Sequence, residues 1–400
     1  MKIDIFRLIF ISFLSYLNFG YGNLILAQGL GFKENPLNQK IESDLIPKTE
    51  RDLSDFEKRR VADKMAELDQ QAQAELKAGN EDQAFLIWYD VIKLSKYINV
   101  ETEIKTISKV GAIAWEKSRN QELNFLTERL VKIESESTIK GKIKPELLPL
   151  FAEGYEALHN IDKSIEVNQQ IFAIARQENN SSLIQTTLDK LGIFYLSKFD
   201  YYQALPIFEE LLTLAQQNEN YLQEGIYLRK LAEIEGAILK PENAINYKEK
   251  LAENLLVNQQ VLQIPFIKLS IGDDYKIVDK PEQASQSYQE AFSLAWSLEQ
   301  YATAGDALKK LGKLYQDYQQ LDSALKIYDE LIKIEQQSYN LYGLMNTYEQ
   351  IGIIYQQQQD YVQARKFFEK ALEIARNIKY KEDYFISKIN QIDNPIPPES

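Results

Sequence analysis

The 400-residue chain has no cysteine and a single histidine. The first absence removes disulfides, thiolate metal sites, thiol nucleophiles and lipid attachment through an N-terminal cysteine. The second leaves His159 alone, too few for the common zinc sites. Glycine (16) and proline (11) are scarce, which disfavours a sandwich of many short strands and favours long helices. No basic run exceeds Lys58-Arg59-Arg60, and a net charge of -13 repels nucleic-acid phosphates, so nucleic acid is excluded as a partner. No glycine-rich phosphate loop and no alternating-aspartate Ca²⁺ loop occurs.

What the chain does have is 44% apolar and 26% charged residues, enough to bury a core over most of its length. Its N-terminus is distinct. Lys2 and Arg7 precede an apolar run from Leu8 to Ala27, the pattern of a secretory signal. Residues 1–27 are therefore expected to be a signal peptide cleaved near Ala27, leaving an exported chain in the periplasm, cell envelope or extracellular space. Membrane attachment is expected only if that segment stays uncleaved. Residues 28–53 hold Gly29, Gly31, Pro36 and Pro47 without a helical period, which suggests a flexible linker. Ser54-Asp55-Phe56-Glu57 fits a capping box that starts the first long helix. Residues 386–400, ending in Asn394-Pro395-Ile396-Pro397-Pro398, are expected to be a disordered tail.

Between these ends the chain repeats itself every 40 residues. A small-residue slot reads Ala72, Ala112, Ala152, Gly192, Ala232, Gly272, Gly312 and Gly352. Three residues later six of eight positions are aromatic: Trp115, Tyr155, Tyr195, Tyr275, Tyr315 and Tyr355. Twelve after the slot stand Ala84, Asn124, Ser164, Ala204, Ala244, Ala284, Ala324 and Ala364. Eight after it, Asn80, Asn120, Asn160, Asp200 and Asp360 are expected N-caps, while Pro241 and Pro281 suit a first helical position. Small residues at matching places on two helices let them approach closely, and one hairpin cannot bury its apolar face alone. The pattern predicts stacked helical hairpins.

No constellation in this pattern carries chemistry. Asp273-Asp274 and the Glu233, Glu235 pair are too close in sequence to face one another on a helix, so neither makes an acid and base. His159 precedes a cap and is expected in an exposed turn. No catalytic residue, cofactor or metal site is expected, and the tyrosines mostly occupy repeat slots.

Leu191-Gly192, Tyr195, Ala204 and Phe208, and again Leu311-Gly312, Tyr315, Ala324 and Tyr328, resemble the tetratricopeptide repeat family, in a long-helix form with a 40-residue rather than a 34-residue period. The resemblance implies an all-α, right-handed α-solenoid of about eight helix-turn-helix repeats over residues 54–385. It is weakest in the second and third repeats, where Asn124, Glu128 and Asn168 depart from the pattern. It also implies a concave groove lined by the first helix of each repeat. By position that groove comprises Asp189, Ile193 and Leu196; Arg229, Glu233 and Gly236; Leu269, Asp273 and Lys276; Lys309, Lys313 and Gln316; and Glu349, Ile353 and Gln356. Lys309 and Lys313 form a small basic step, and the clamp that some family members use for peptide carboxylates is not reproduced. The expected function is a non-enzymatic scaffold that holds a protein or peptide in this groove. The alternative is a self-associating envelope component that uses its outer helix surfaces.

Overall fold

The computed structural model describes residues 34–41, 43–47 and 51–393, so the expected signal peptide lies outside them. The chain forms two compact units, residues 1–187 and 188–400. In the first, α1 (Asp55–Lys77), α2 (Glu81–Ser95), α3 (Val100–Glu116) and α4 (Asn120–Glu136) precede a small hairpin, β1 (Thr138–Ile139) and β2 (Lys142–Ile143), then α5 (Leu148–Ala157) and α6 (Ile161–Gln177). Helix α7 (Ser181–Ser197) contains the division. The second unit continues with α8 (Tyr201–Gln217), α9 (Tyr221–Ala237), α10 (Pro241–Val257), α11 (Ile264–Ile277) and α12 (Pro281–Ser297). It closes with α13 (Tyr301–Asp317), α14 (Leu321–Gln337), α15 (Leu341–Gln357), α16 (Tyr361–Ile378) and α17 (Glu382–Asp393). The fold is an α-solenoid of consecutively packed helical hairpins.

Local chemistry sets the helix ends. Ser54 and Glu57 make the reciprocal capping box. Asn160, Asp200 and Asp360 accept the backbone N–H groups of Lys163, Gln203 and Gln363, and Pro241 and Pro281 open α10 and α12. Two expected caps fall short: Asn80 holds the cap position of α2 without a side-chain capping bond, and Asn120 lies inside α4, whose cap is Arg119. Most helices end in a residue of left-handed conformation, and from His159 to Lys379 these recur every twenty residues. At Phe199, φ is 57°. The N–H of Phe199 bonds the Leu196 carbonyl and that of Asp200 bonds the Tyr195 carbonyl, closing the exposed end of α7.

The core explains the small-residue slot. A Cβ on Gly192 would meet the Phe208 ring at 2.8 Å, one on Gly312 would meet Tyr328 at 2.6 Å, and one on Gly352 would meet Phe368 at 2.9 Å. Gly272 lies under Tyr288 in the same way. Each ring rests on helix backbone, an approach that only glycine permits. Where the slot holds alanine, the residue sixteen later is Glu128, Asn168 or Lys248, with Trp88 the aromatic exception. Lys248 turns to Ser270 Oγ and Asp274 Oδ2, each at 2.6 Å.

Three boundary expectations change. Residues 34–53 are not a free linker in their described part. Leu37 enters the main core of the first unit, while Ile41, Leu45 and Ile46 pack around Leu53, Val61 and Leu94. The Asn35 amide donates to the Phe125 carbonyl and to Glu128, each at 2.9 Å. The repeat region continues past 385, because α17 runs to Asp393 with Phe385 and Ile389 buried against α16. The rest of the expected tail, 394–400, lies outside the described residues. In the third repeat the first helix shrinks to the ten residues of α5, behind the hairpin and a 3-10 turn at Pro145–Leu147.

Candidate partner-binding face

Helices α7, α9, α11, α13 and α15 are the first helices of their repeats and carry all the groove residues named from the sequence, each within the second unit. Their positions follow i, i+4, i+7 spacing, so each set shares one helix face. The structure divides them into three kinds.

Ile193, Glu233, Gly236, Lys276, Lys309 and Lys313 are exposed. Asp189, Leu196, Arg229, Asp273, Ile353 and Gln356 are partly buried. Leu269, Gln316 and Glu349 are buried and cannot line a groove. Leu269 belongs to a core with Ala284, Tyr288 and Leu311. Gln316 accepts the Tyr328 hydroxyl at 3.4 Å. Glu349 lies beneath α17, accepting from Tyr384 Oη at 2.7 Å and Lys381 Nζ at 3.4 Å. Burial, then the Glu349 carboxylate, pushes the Tyr384 pKa up to about 12.

The charged positions are largely committed within the protein. Asp273 accepts from Tyr288 Oη and from Lys310 Nζ, both at 2.8 Å. Asp189 accepts from Tyr227 Oη at 2.8 Å, and burial holds its pKa above the ordinary aspartate value despite that bond. Lys276 and Lys313 converge on Asp317 at 2.7 and 3.0 Å. Burial alone would raise the Asp317 pKa, but the two lysines outweigh it and hold the carboxyl below its usual range. The basic step expected at Lys309 and Lys313 is therefore half neutralised.

Extending the same stripe toward the helix N-termini reveals what the sequence reading missed. On α9, Leu222 and Ile226 precede Arg229 and Glu233 by the same helical steps and are 62% and 52% exposed. On the next repeat, Leu262 and Phe266 occupy the positions forty residues on, at 60% and 55%. Arg229 Nη2 reaches Gln263 Oε1 at 2.7 Å, which sets the two stripes side by side. The signal was present: both pairs repeat at 40 and lie on the face already identified.

Elsewhere, His159 is exposed at φ 52° and stacks on Trp115 at 3.7 Å, and burial lowers its pKa. Trp115 is 49% exposed. Among the described residues no group of three or more His, Asp or Glu side chains could hold a metal ion, and no helix is long and apolar enough to cross a membrane.

Residues 300–377 match the family model described as tetratricopeptide repeat. These residues are tetratricopeptide repeats. No curated protein matches the chain. Similar solved structures include BtubC (BKLC) from P. vanneervenii, at 18% identity over 60% of this chain and 96% of that one, with a TM-score of 0.38. MamA is similar at 23% identity over 48% of this chain and 98% of its own, TM-score 0.34. A Rap protein complexed with competence and sporulation factor is 14% identical over 84% and 98%, TM-score 0.32. In this tetratricopeptide-repeat-like array the exposed stripe lies on the first helices, and the second helices supply the rings that pack beneath it.

Proposed function

We propose that the chain is a non-enzymatic, exported scaffold that holds a protein or peptide partner on the first-helix face of its second unit. The observation that supports this reading is the exposure of Leu222 and Ile226 on α9 and of Leu262 and Phe266 forty residues on, in the turn before α11 and in α11, the two stripes being joined by the Arg229–Gln263 bond. Exposed apolar surface is unfavourable in water by about 25 cal/mol per Å² and contiguous patches of it mark interaction sites. Its charged surroundings, Glu233 with Lys230 and Asp273 with Lys310, are already ion-paired. The partner it fits is a segment whose apolar side chains reach two helices about 8–10 Å apart, not a strongly charged tail.

The test is crosslinking and affinity capture of the tagged chain from its native cells, compared with an Ile226→Glu, Phe266→Glu variant. Both side chains are exposed, so the variant should fold. A partner lost at least tenfold in the variant supports the reading; equal recovery overturns it. Export is tested separately by N-terminal sequencing: a chain beginning at Gln28 outside the cytoplasm is expected, and an intact cytoplasmic chain rejects it.

A second reading, self-association through outer surfaces, is favoured by Phe199, Tyr202, Leu239 and Ile277. They are 69–78% exposed on or beside the turns between first and second helices. Sedimentation of the mature chain decides it, since a strict monomer at high concentration removes this reading.

A further inference from the structure

We propose that the first unit binds a compact polyanion, a small molecule bearing phosphate or carboxylate groups, in a cleft beside residues 37–41 and 43–47. The cleft has a volume of about 1020 Å³, at the upper end of small-molecule sites. Its position follows from the packing of the preceding segment. Asn35 pins that segment to α4, and Leu37 is sunk in the core, so residues 38–41 and 43–47 lie beside α2 and α4.

The charge of the lining is opposite to that of the protein. Among the described residues, Lys40, Arg51, Lys93, Lys96, Arg129 and Lys132 line the cleft, against the carboxylates of Asp44 and Glu103. The chain as a whole carries a net charge of -13. Three of the six cations are committed: Arg129 to Glu103 at 2.7 Å, Arg51 to Glu57 at 2.5 Å and Lys93 to Asp90 at 3.2 Å. Lys40, Lys96 and Lys132 form no ion pair among the described residues. Three ammonium groups around one concavity repel one another, and a multiply charged anion relieves that repulsion while accepting charge-assisted hydrogen bonds. Ile41, Ile46 and Tyr97 in the same wall offer apolar contact to the body of such a ligand.

The geometry favours a small ligand over a surface. The buried Arg129–Glu103 pair gives the cleft a fixed floor, both side chains being at most 7% exposed. Residues 37–41, 43, 44, 46 and 47 form one wall of it.

The test is isothermal titration of the mature chain at low salt with inorganic triphosphate and with citrate. Saturable binding of at least one probe at one site is expected, and the stronger of the two tells phosphate from carboxylate. A Lys96→Ala, Lys132→Ala variant should weaken that binding at least tenfold, and Lys96→Ala alone several-fold. Both lysines are exposed, so the thermal melt should not change. Lys309→Ala with Lys313→Ala, in the other unit, should leave the affinity as it was. No binding of either probe, equal binding by the double variant, or an equal loss in the Lys309, Lys313 control would each overturn the proposal.

Discussion

The two units run on one 40-residue period yet build their interiors differently. In the second, four glycine slots are each covered by an aromatic ring from the partner helix, and 17-residue helices follow one another with little variation. In the first, the slots hold alanine, two of the three covering residues are polar, and charge enters the core. Arg129 and Glu103 pair at 2.7 Å with both side chains buried. Arg119, 7% exposed, binds Glu122 and Asp82 and lies 5.3 Å from the Phe85 ring centroid. A period fixes where helices start and stop. It does not fix what fills the space between them, and the first unit uses that freedom to carry an insertion, a strap and a cleft.

The largest effect is expected from splitting the buried pair. Arg129→Met should destabilise the first unit by about 3–5 kcal/mol, because Glu103 is left charged and alone, whereas Arg129→Met with Glu103→Met should recover most of that loss. Urea unfolding followed by a probe in each unit checks both statements. A single-variant loss below about 1 kcal/mol would mean that charge is not part of the first unit's core.

Next comes the glycine–ring contact. Gly312→Ala should cost the second unit about 1–3 kcal/mol, since the new methyl meets Tyr328 Cε1 at 2.6 Å. Adding Tyr328→Leu should relieve the clash. If Gly312→Ala is neutral by calorimetry while Tyr328 remains, the ring does not set the residue at this slot.

The smallest effect concerns one of the buried carboxylates of the second unit, which also include Glu235 and Glu349. Glu335 is buried at a position where the equivalent residues are Ala175, Ala215, Leu255, Ala295 and Ala375. Burial raises its pKa above the ordinary glutamate value, and a bond from Asn340 and the charge of Lys309 only partly oppose this. The favourable contribution of such a group is complete below the usual glutamate pKa and is lost as pH rises through the elevated value. Glu335→Ala should therefore raise the melting temperature of the second unit at pH 7, with the gain shrinking toward pH 4. A gain independent of pH would assign the effect to packing.

Much of the architecture could be read without coordinates. The Ser54 capping box, the Pro241 and Pro281 helix starts and the small-residue slot are local rules, and each is present in the structure. Asn120 failed as a cap because Arg119, tied to Asp82 and Glu122, occupies that place. The candidate face was legible only in outline. Its outward stripe follows from helical spacing, but the extension of that stripe to Leu222, Ile226, Leu262 and Phe266 was not drawn from the sequence.

The sequence by itself determined the helices, their ends, their register and the acidic balance of the surface, because these depend on residues within a few positions of one another. Only the tertiary structure decided which face residues stay accessible. Leu269 is covered by the neighbouring repeat, Gln316 by Tyr328 and Glu349 by α17. It also decided that residues 34–41 and 43–47 pack as a strap and that lysines from three segments gather around one cleft. Burial and charge pairing are set by side chains that lie tens of residues apart, and a forty-residue repeat specifies where those neighbours stand without specifying what they are.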